Sequence, residues 1–302
     1  MRILVTGASG FIGAHCVREF LGRGHEVAIL AVPEDPLSRL ENVLSRVKAI
    51  RGTLDELPRG AISDWQPEAC LHLAWYAEPG KYLDAEQNVD CLTGSLALLR
   101  ALIADGCKRF AGAGTCFEYE MRESMLRETD PARPATLYAA AKLSLCETGQ
   151  KLALQKDTKF AWGRVFYPYG PQEDSRRAVP GVIGALLDSR PFPASSGEQV
   201  RDYVHVEDVA AGFATLLETG AEGVHNISSG APVSMRKLFT LIGERLGKAE
   251  LIQFGAFPPR TYEPPFVGGD NARLRALGWK PRYTLDSGLA QTIDWWRAQR
   301  KR

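Results

Sequence analysis

Three side chains that can donate, accept or hold a proton are spaced so that they could form one catalytic group. Tyr138 and Lys142 stand four residues apart, and Thr115 ends an earlier apolar run. Residues four apart share one face of a helix. A lysine cation beside a phenol lowers the phenol pKa, which is about 10 when unperturbed. The set therefore indicates an acid/base tyrosine with a hydroxyl group that holds a substrate oxygen.

The first residues of the chain predict a dinucleotide-binding turn. A short apolar run at residues 3–5 leads into a glycine-rich loop, and a helical pattern follows at residues 11–21. Glycines let the backbone approach a pyrophosphate, and the helix N-terminus supplies N–H groups and partial positive charge. The predicted loop contacts to the cofactor are Gly7, Ser9, Gly10, Phe11, Ile12 and Gly13. A nicotinamide dinucleotide beside an acid/base tyrosine would move a hydride to or from a carbon that bears oxygen.

Composition limits the other function classes. The chain has 302 residues, 24% of them charged, and a net charge of +1, which favours neither nucleic acid nor an anionic membrane surface. Its six cysteines include no Cys-x-x-Cys pair, so neither a metal site nor a disulfide framework is indicated. No apolar run reaches about 18 residues, and Met1 leads directly into the first predicted strand. We therefore expect a cytoplasmic enzyme without signal peptide, membrane span or nucleic-acid partner.

Alternating strand and helix patterns predict an α/β fold with a doubly wound parallel (Rossmann) sheet. The strand patterns lie at residues 3–5, 27–30, 47–50, 70–74, 108–113 and 160–165, and the helical patterns at 11–21, 37–44, 84–104 and 138–155. After Gly170 the chain has more proline and shorter helices, which indicates a smaller mixed α/β C-terminal lobe for substrate. We predict a dinucleotide-binding domain at residues 1–166, completed by about 205–228, and a substrate lobe at 167–204 and 229–302.

The motifs together resemble the extended short-chain dehydrogenase/reductase superfamily, in its nucleotide-sugar branch of epimerases, dehydratases and ketoreductases. The matching segments are TGASGFIG, HLAW, YAAAK, RVFYPYGP and RDYVHVEDVA, with a hydroxyl residue four before Tyr119. The resemblance runs from Met1 to about Trp296. It implies that Thr115, Tyr138 and Lys142 are catalytic, with Lys142 also on the nicotinamide ribose. It further implies a nucleoside-diphosphate sugar as substrate and a homodimer formed through the helices at 84–104 and 138–155.

The end of the second strand predicts which dinucleotide binds. An acid there binds the ribose 2′-hydroxyl of NAD, whereas its absence with an arginine nearby suits the 2′-phosphate of NADP. Residues 29–33 contain no acid, Asp35 comes late, and Ser38 and Arg39 follow. We therefore favour NADP(H) over NAD(H), although Arg39 as an ordinary surface residue is the alternative. By the resemblance, further cofactor contacts come from Thr53, Leu54, Leu73, Ala74 and Trp75.

The residues after Thr115 separate the reactions of this branch. By the resemblance, dehydratases carry an acid at the next two positions, where this chain has Cys116 and Phe117. Related 3,5-epimerases carry a cysteine, but at the Phe117 position. We therefore interpret Cys116 as a wall of the substrate pocket and Glu118 as structural. His72, alone in an apolar strand, is expected to be a packed core residue.

The resemblance also predicts how the nucleotide diphosphate is bound. Arg201 and Arg260 match arginines that bind it in the family, and a guanidinium fork suits phosphate oxygens. Tyr167 replaces an asparagine that touches the diphosphate in relatives. An ion pair of Arg201 with a neighbouring acid is the alternative.

Two enzymatic interpretations and one non-enzymatic interpretation remain. We predict an NAD(P)H-dependent ketoreductase that reduces C4 of a nucleotide-linked 4-keto-6-deoxy sugar. The alternative is a C4 epimerase that uses the same residues with tightly held NAD. The third is a non-catalytic NADP-sensing protein, and the intact set of Thr115, Tyr138 and Lys142 argues against it.

Overall fold

The computed structural model describes residues 1–258 and 264–300. Within them the strands are β1 (Arg2–Thr6), β2 (Glu26–Ala31), β3 (Val47–Arg51), β4 (Ala69–His72), β5 (Arg109–Thr115), β6 (Met125–Leu126), β7 (Lys159–Val165), β8 (Tyr167–Tyr169), β9 (Phe192–Ala194), β10 (Val200–Arg201), β11 (Tyr203–His205), β12 (Gly223–Ile227), β13 (Val233–Ser234), β14 (Ile252–Phe254) and β15 (Phe266–Gly269). The α-helices are α1 (Phe11–Gly22), α2 (Arg59–Trp65), α3 (Gln87–Ala104), α4 (Leu137–Leu154), α5 (Ala178–Leu187), α6 (Val206–Thr219), α7 (Met235–Leu246), α8 (Ala272–Ala276) and α9 (Leu285–Gln299).

The central sheet contains seven parallel strands in the order β12-β7-β5-β4-β1-β2-β3. The chain runs outward from β1 to β3 and then crosses to β4 on the other side of β1. The strand order therefore reverses between β1 and β4, which is where open α/β sheets bind ligands at their carboxyl edge. The predicted Rossmann sheet is confirmed, and all six predicted strands lie in it.

Both faces of this sheet are covered, which explains its continuous apolar strands. In β1, Ile3 and Val5 face one buried core and Leu4 faces the other. Helices α1 and α6 pack on the first face, whereas α3 and α4 pack on the second. The sheet thus holds the starts of α1 and α4 at fixed positions relative to its carboxyl edge.

Most of the remaining elements build the lobe that lies beyond β8, whereas α2 and α8 pack on the two cores of the central sheet. Helices α5, α7 and α9 surround a separate apolar core. Small strand groups accompany them, in the orders β13-β10-β15-β6, β11-β8 and β14-β9.

Two local predictions differ from the structure. The sequence predicts an α-helix at residues 37–44, but Ser38–Arg46 forms a 3₁₀ stretch that is entered through Leu37 at a left-handed φ of 55°. Helix α2 is not predicted, because seven residues are too few to show an apolar period. None of the described helices is long and apolar enough to cross a membrane.

Candidate active site

The glycine-rich loop is packed so tightly that it requires glycine at two positions. Gly7 has a φ of +64°, and a Cβ there would lie 2.6 Å from the amide nitrogen of Ala74. A Cβ on Gly13 would lie 2.1 Å from the carbonyl oxygen of Gly7. The loop therefore presses against the chain that follows β4, and α1 begins at Phe11, with Gly10 as an N-cap residue that has no side chain to cap the helix. Its first N–H groups lie beside the β1–β4 crevice, which suits a pyrophosphate.

Asp35 corrects the interpretation of the second strand. From the sequence, this acid comes too late in the chain to matter. In the structure the loop after β2 folds back, and the Asp35 carboxylate accepts a hydrogen bond from the Ser9 hydroxyl in the glycine-rich loop. It also accepts one from the Leu37 backbone N–H at 2.9 Å. An acid therefore does reach the corner where the cofactor's ribose is expected.

Arg39 lies at the same corner. Its Nη1 donates to the Ser9 carbonyl and its Nε to the Gln172 carbonyl, each at 3.2 Å, while Ser38 is exposed. Sequence reasoning missed Arg51, whose Nη1 donates to the carbonyls of Val32 and Asp35 at 2.9 Å. In the structure β2 and β3 pair in parallel with Ala31 beside Arg51, which brings Arg51 to this corner.

The other predicted cofactor residues make mostly local contacts. The backbone N–H groups of Leu73 and Ala74 donate to the Thr6 hydroxyl at 3.2 Å, which fixes the chain directly after β4. Thr53 Oγ1 caps a local turn by accepting from the Glu56 N–H. Leu54 packs closely against α3. Phe11 and Ile12 lie in the first turn of α1.

Thr115 and Tyr138 meet at the carboxyl edge of the sheet. Thr115 is the last residue of β5, with 6% of its surface exposed. Tyr138 lies in the first turn of α4, a helix capped by Thr136, and its backbone N–H donates to the Leu83 carbonyl at 2.8 Å. The Thr115 side chain is near enough to the Tyr138 phenol to act on it, in the direction that lowers the phenol pKa. The two groups predicted to act together are therefore adjacent.

The pKa of Tyr138 lies above its usual range, not below it as the sequence suggested. Burial raises it most, and the neighbouring Tyr82, Glu118 and Cys116 add to that rise. The Thr115 hydroxyl opposes the rise only in part. In the cofactor-free protein the phenol is therefore protonated, which is the state that a proton donor needs.

Lys142 lies one helical turn further along α4 and is buried, with 3% of its surface exposed. Its Nζ is 3.8 Å from the centroid of the Trp75 ring and 6.0 Å from the Tyr138 ring centroid. Burial lowers the pKa of Lys142 to about 7, while Glu118 and Cys91 act in the opposite direction. The structure thus brings Tyr138, Lys142 and Trp75 together.

Two residues that sequence reasoning missed, Tyr82 and Asn88, support this group, and so does Glu118. The Tyr82 ring meets the Tyr138 ring edge to face, with centroids 4.9 Å apart. Asn88, fully buried in α3, accepts a hydrogen bond from Trp75 Nε1 at 2.8 Å. Glu118 was expected to be structural, and its carboxylate accepts a hydrogen bond from the Thr115 backbone N–H at 2.8 Å. The capping pattern Thr115-x-x-Glu118 is the signal that could have found this last contact.

The two positions after Thr115 carry no ionised group. Burial raises the pKa of the Cys116 thiol to about 12, so the thiol is neutral. Phe117 meets the Tyr167 ring edge to face, with centroids 6.2 Å apart. This wall can shape a pocket, but it offers no carboxylate for removing a proton from a carbon.

Arg201 lies in β10 with only 1% of its surface exposed. Its Nη1 donates to the Val200 carbonyl at 2.7 Å, and its guanidinium carbon lies 5.6 Å from the Tyr167 ring centroid. The adjacent Asp202 instead accepts hydrogen bonds from the backbone N–H groups of residues 229, 230 and 269. Arg260, the second predicted diphosphate ligand, lies outside the described residues.

The chain matches the model of the NAD dependent epimerase/dehydratase family over residues 3–228. A UDP-glucose 4-epimerase from Mycolicibacterium smegmatis is 31% identical over 98% of this chain and 99% of its own length. A dTDP-6-deoxy-L-talose 4-dehydrogenase (NAD(+)) from Aggregatibacter actinomycetemcomitans is 28% identical over 89% of this chain and 99% of its own.

A solved structure is similar over nearly the whole chain. It is the UDP-glucose 4-epimerase of Thermus thermophilus in complex with NAD, which is 29% identical. Its TM-score is 0.85, and the match covers 98% of this chain and 99% of that one. These relatives are named for different reactions, so membership of the family does not by itself fix the reaction.

Proposed function

Because this chain belongs to the NAD-dependent epimerase/dehydratase family, we propose that it is a nucleotide-sugar ketoreductase. Its substrate is a nucleotide-linked keto-deoxy sugar, and the ketone that it reduces is the one at C4. The dTDP-6-deoxy-L-talose 4-dehydrogenase supports this proposal, since its name describes the same oxidation or reduction at C4 of a nucleotide-linked deoxy sugar.

The proposed mechanism assigns one role to each residue of the group. A bound reduced nicotinamide would supply the hydride for the ketone carbon. Thr115 orients the carbonyl oxygen by a hydrogen bond, and Tyr138 gives that oxygen its proton. The protonated state of the phenol, whose pKa burial raises, supports this direction of transfer. Lys142 would hold the nicotinamide ribose, and its cation beside Tyr138 helps the phenol to release its proton.

One observation favours reduction of the substrate over elimination of water from it. The wall beside Thr115 consists of the neutral thiol of Cys116 and the ring of Phe117, neither of which is a base. A dehydratase must remove a proton from carbon as well as transfer a hydride, so it needs a base at this wall. A reductase needs only the acid that Tyr138 provides.

A C4 epimerase is the second candidate, and the UDP-glucose 4-epimerase relatives favour it. Epimerisation would use the same Thr115, Tyr138 and Lys142, with NAD retained through both half-reactions. A non-catalytic dinucleotide-binding role would not require these three side chains to be adjacent.

NADP(H) remains the proposed coenzyme, with NAD(H) as the alternative. The guanidinium groups of Arg39 and Arg51 at the β2 corner support a 2′-phosphate. The carboxylate of Asp35, held by Ser9, supports a 2′-hydroxyl instead. The relative named for NAD(+) and the solved structure with bound NAD also favour NAD(H).

The remaining proposals concern the rest of the molecule. We propose that residues 1–166 with about 205–228 bind the dinucleotide, and that residues 167–204 and 229–302 form the substrate lobe. Within this lobe the proposed nucleotide-diphosphate contacts are Tyr167, Arg201 and Arg260. We also propose a homodimer through the helices at 84–104 and 138–155, where Val89 is 49% and Leu154 75% exposed.

The deciding experiment mixes the purified protein with NADPH or NADH and a panel of nucleotide-linked 4-keto-6-deoxy sugars. A reductase consumes one reduced coenzyme for each keto sugar. Protein that instead interconverts a UDP-sugar and its C4 epimer without added coenzyme, and releases NAD when denatured, is an epimerase. Assaying one portion of a sample and denaturing another therefore separates the two candidates.

A further inference from the structure

The ammonium of Lys142 rests on an aromatic face, not on a carboxylate. Its Nζ lies 3.8 Å from the centroid of the Trp75 ring. A cation within about 6 Å of an aromatic centroid is attracted by the negative face of the ring, and the attraction is stronger where water is excluded. Lys142 is 3% exposed, so this contact is made away from solvent.

The indole of Trp75 is itself held in place. Its Nε1 donates to Asn88 Oδ1 at 2.8 Å. Asn88 is fully buried, and its Nδ2 donates to the carbonyls of Tyr82 and Ala85 at 2.7 and 2.8 Å. Turning the indole would leave a buried amide oxygen without its donor, which is unfavourable because no water can replace the lost hydrogen bond. The same asparagine also holds the segment that carries Tyr82 against Tyr138.

We propose that Trp75 is a positioning residue, whose indole face holds the Lys142 ammonium beside Tyr138 and keeps it protonated. The inference rests on the proposed catalytic role of Lys142. It adds that the lysine depends on an aromatic partner supplied by the loop after β4. Asn88 contributes to this arrangement, because it fixes the plane of the Trp75 indole that Lys142 faces.

This partner matters because burial opposes the charge on Lys142 and lowers its pKa to about 7. Four other titratable groups lie near the Lys142 ammonium. Glu118 and Cys91 favour its charged form. His72 and Tyr138 are the other two. Burial lowers the pKa of His72 to about 3, so His72 is neutral at physiological pH. The Tyr138 phenol, whose pKa burial raises, is also neutral there. Removing the indole face therefore leaves Lys142 charged only at lower pH.

The test measures Lys142 directly, by an NMR titration of protein labelled with ¹³C at lysine Cε. The Lys142 signal is assigned by its loss in Lys142→Arg. In Trp75→Phe, which keeps an aromatic face, we expect the midpoint of the Lys142 titration to stay within a few tenths of a pH unit of that in the unmodified protein. In Trp75→Leu we expect it to fall by about one pH unit. Trp295→Leu, on the distant α9, is the control with an unchanged midpoint.

A second arm of the test leaves the shape of side chain 75 nearly unchanged. It is needed because leucine is smaller than tryptophan and would admit water to Lys142. Tryptophans with increasing fluorination are placed at position 75, which weakens the negative ring face stepwise. A midpoint that falls with each added fluorine supports the proposal. A midpoint that does not change along the series, or in Trp75→Leu, overturns it. The titration needs neither substrate nor coenzyme, so failure of the proposed reaction would not affect its outcome.

A catalytic readout completes the test if keto-sugar reduction is observed. The decline of kcat at high pH should move to lower pH in Trp75→Leu and not in Trp75→Phe. A merely structural role would lower kcat in Trp75→Leu without moving that decline.

Discussion

Glu118 and Arg164 form a buried ion pair next to the candidate site, with Arg164 Nε 2.7 Å from Glu118 Oε2. Their side chains are 0% and 4% exposed. The same carboxylate accepts hydrogen bonds from the Trp162 indole at 3.0 and 3.1 Å and from the Thr115 backbone N–H at 2.8 Å. One buried acid therefore ties the end of β5, and with it Thr115, to the neighbouring strand β7.

Glu118→Gln should lower the free energy of unfolding by about 3 kcal/mol, because the guanidinium of Arg164 would stay buried without its charge partner. Urea denaturation measures this. The matched control is Glu120→Gln at an exposed pair with Arg122 and Arg133, where about 0–1 kcal/mol is expected. If Glu118→Gln and Glu120→Gln lowered the free energy of unfolding equally, the buried Glu118–Arg164 pair would not stabilise the fold more than an exposed pair does.

Tyr138→Phe should reduce turnover by about 10²–10⁴ while coenzyme binding is retained, because only the proton donor is removed. Steady-state assays and a coenzyme titration check the two parts separately. Tyr119→Phe is the control, since that phenol is also buried but donates to Asn226 at 2.7 Å within the core. Near-normal turnover of Tyr138→Phe would refute the mechanism.

Thr115→Val should lower kcat about 10²-fold, the usual loss when one donor to a reacting oxygen is removed. Thr115→Ser keeps the hydroxyl and should stay within a few-fold of the unmodified enzyme. Both variants keep the backbone N–H that Glu118 holds. Equal activities of the valine and serine variants would show that the hydroxyl does not orient the substrate.

The β2 corner predicts opposite effects on the two coenzymes. Arg39→Ala should weaken NADPH binding about tenfold and change NADH binding little, because one charge-assisted contact is worth roughly 1.5–3 kcal/mol. Asp35→Asn should strengthen NADPH binding, since it removes a negative charge near the expected 2′-phosphate. Calorimetric titrations of both coenzymes test this. A parallel loss of NADPH and NADH affinity in Arg39→Ala would contradict the assignment.

His72 should make the protein less stable in acid. Its ring nitrogens lie 2.8 Å from Thr6 Oγ1 and 2.7 Å from Ser95 Oγ, and burial lowers its pKa to about 3. Above about pH 6.5 the ring is neutral in both the folded and unfolded states, and its full stabilisation is present. As the pH falls toward 3 only the unfolded state gains the proton, at a cost of about 1.4 kcal/mol per pH unit.

The comparison is between the unmodified protein and His72→Gln. Their difference in unfolding free energy should shrink by about 2.5 kcal/mol between pH 7 and pH 4.5. Burial also lowers the pKa of His205, to about 4, but His205 is present in both proteins and its effect cancels. A difference that stays constant with pH would show that His72 does not titrate as described.

Contiguous residues were enough to predict the sheet and the tight glycine-rich loop, and to nominate Thr115, Tyr138 and Lys142 as candidate catalytic residues. Apolar runs bounded by turns form buried parallel strands, and Gly7 and Gly13 allow the close backbone packing of the loop. Tyr138 and Lys142 share a helix face because they stand four residues apart in α4. Local geometry and periodicity are enough to recognise such features without knowing what lies opposite them.

The charge states and the side-chain partners emerge only when the chain is folded. Asp35 reaches Ser9 because the chain after β2 folds back, and Lys142 faces Trp75 because α4 packs beside the loop after β4. The Tyr138 phenol is protonated, although its lysine neighbour suggested a lowered pKa, because burial raises that pKa. Such effects depend on solvent exclusion and on residues distant in sequence, and no spacing within the chain encodes them.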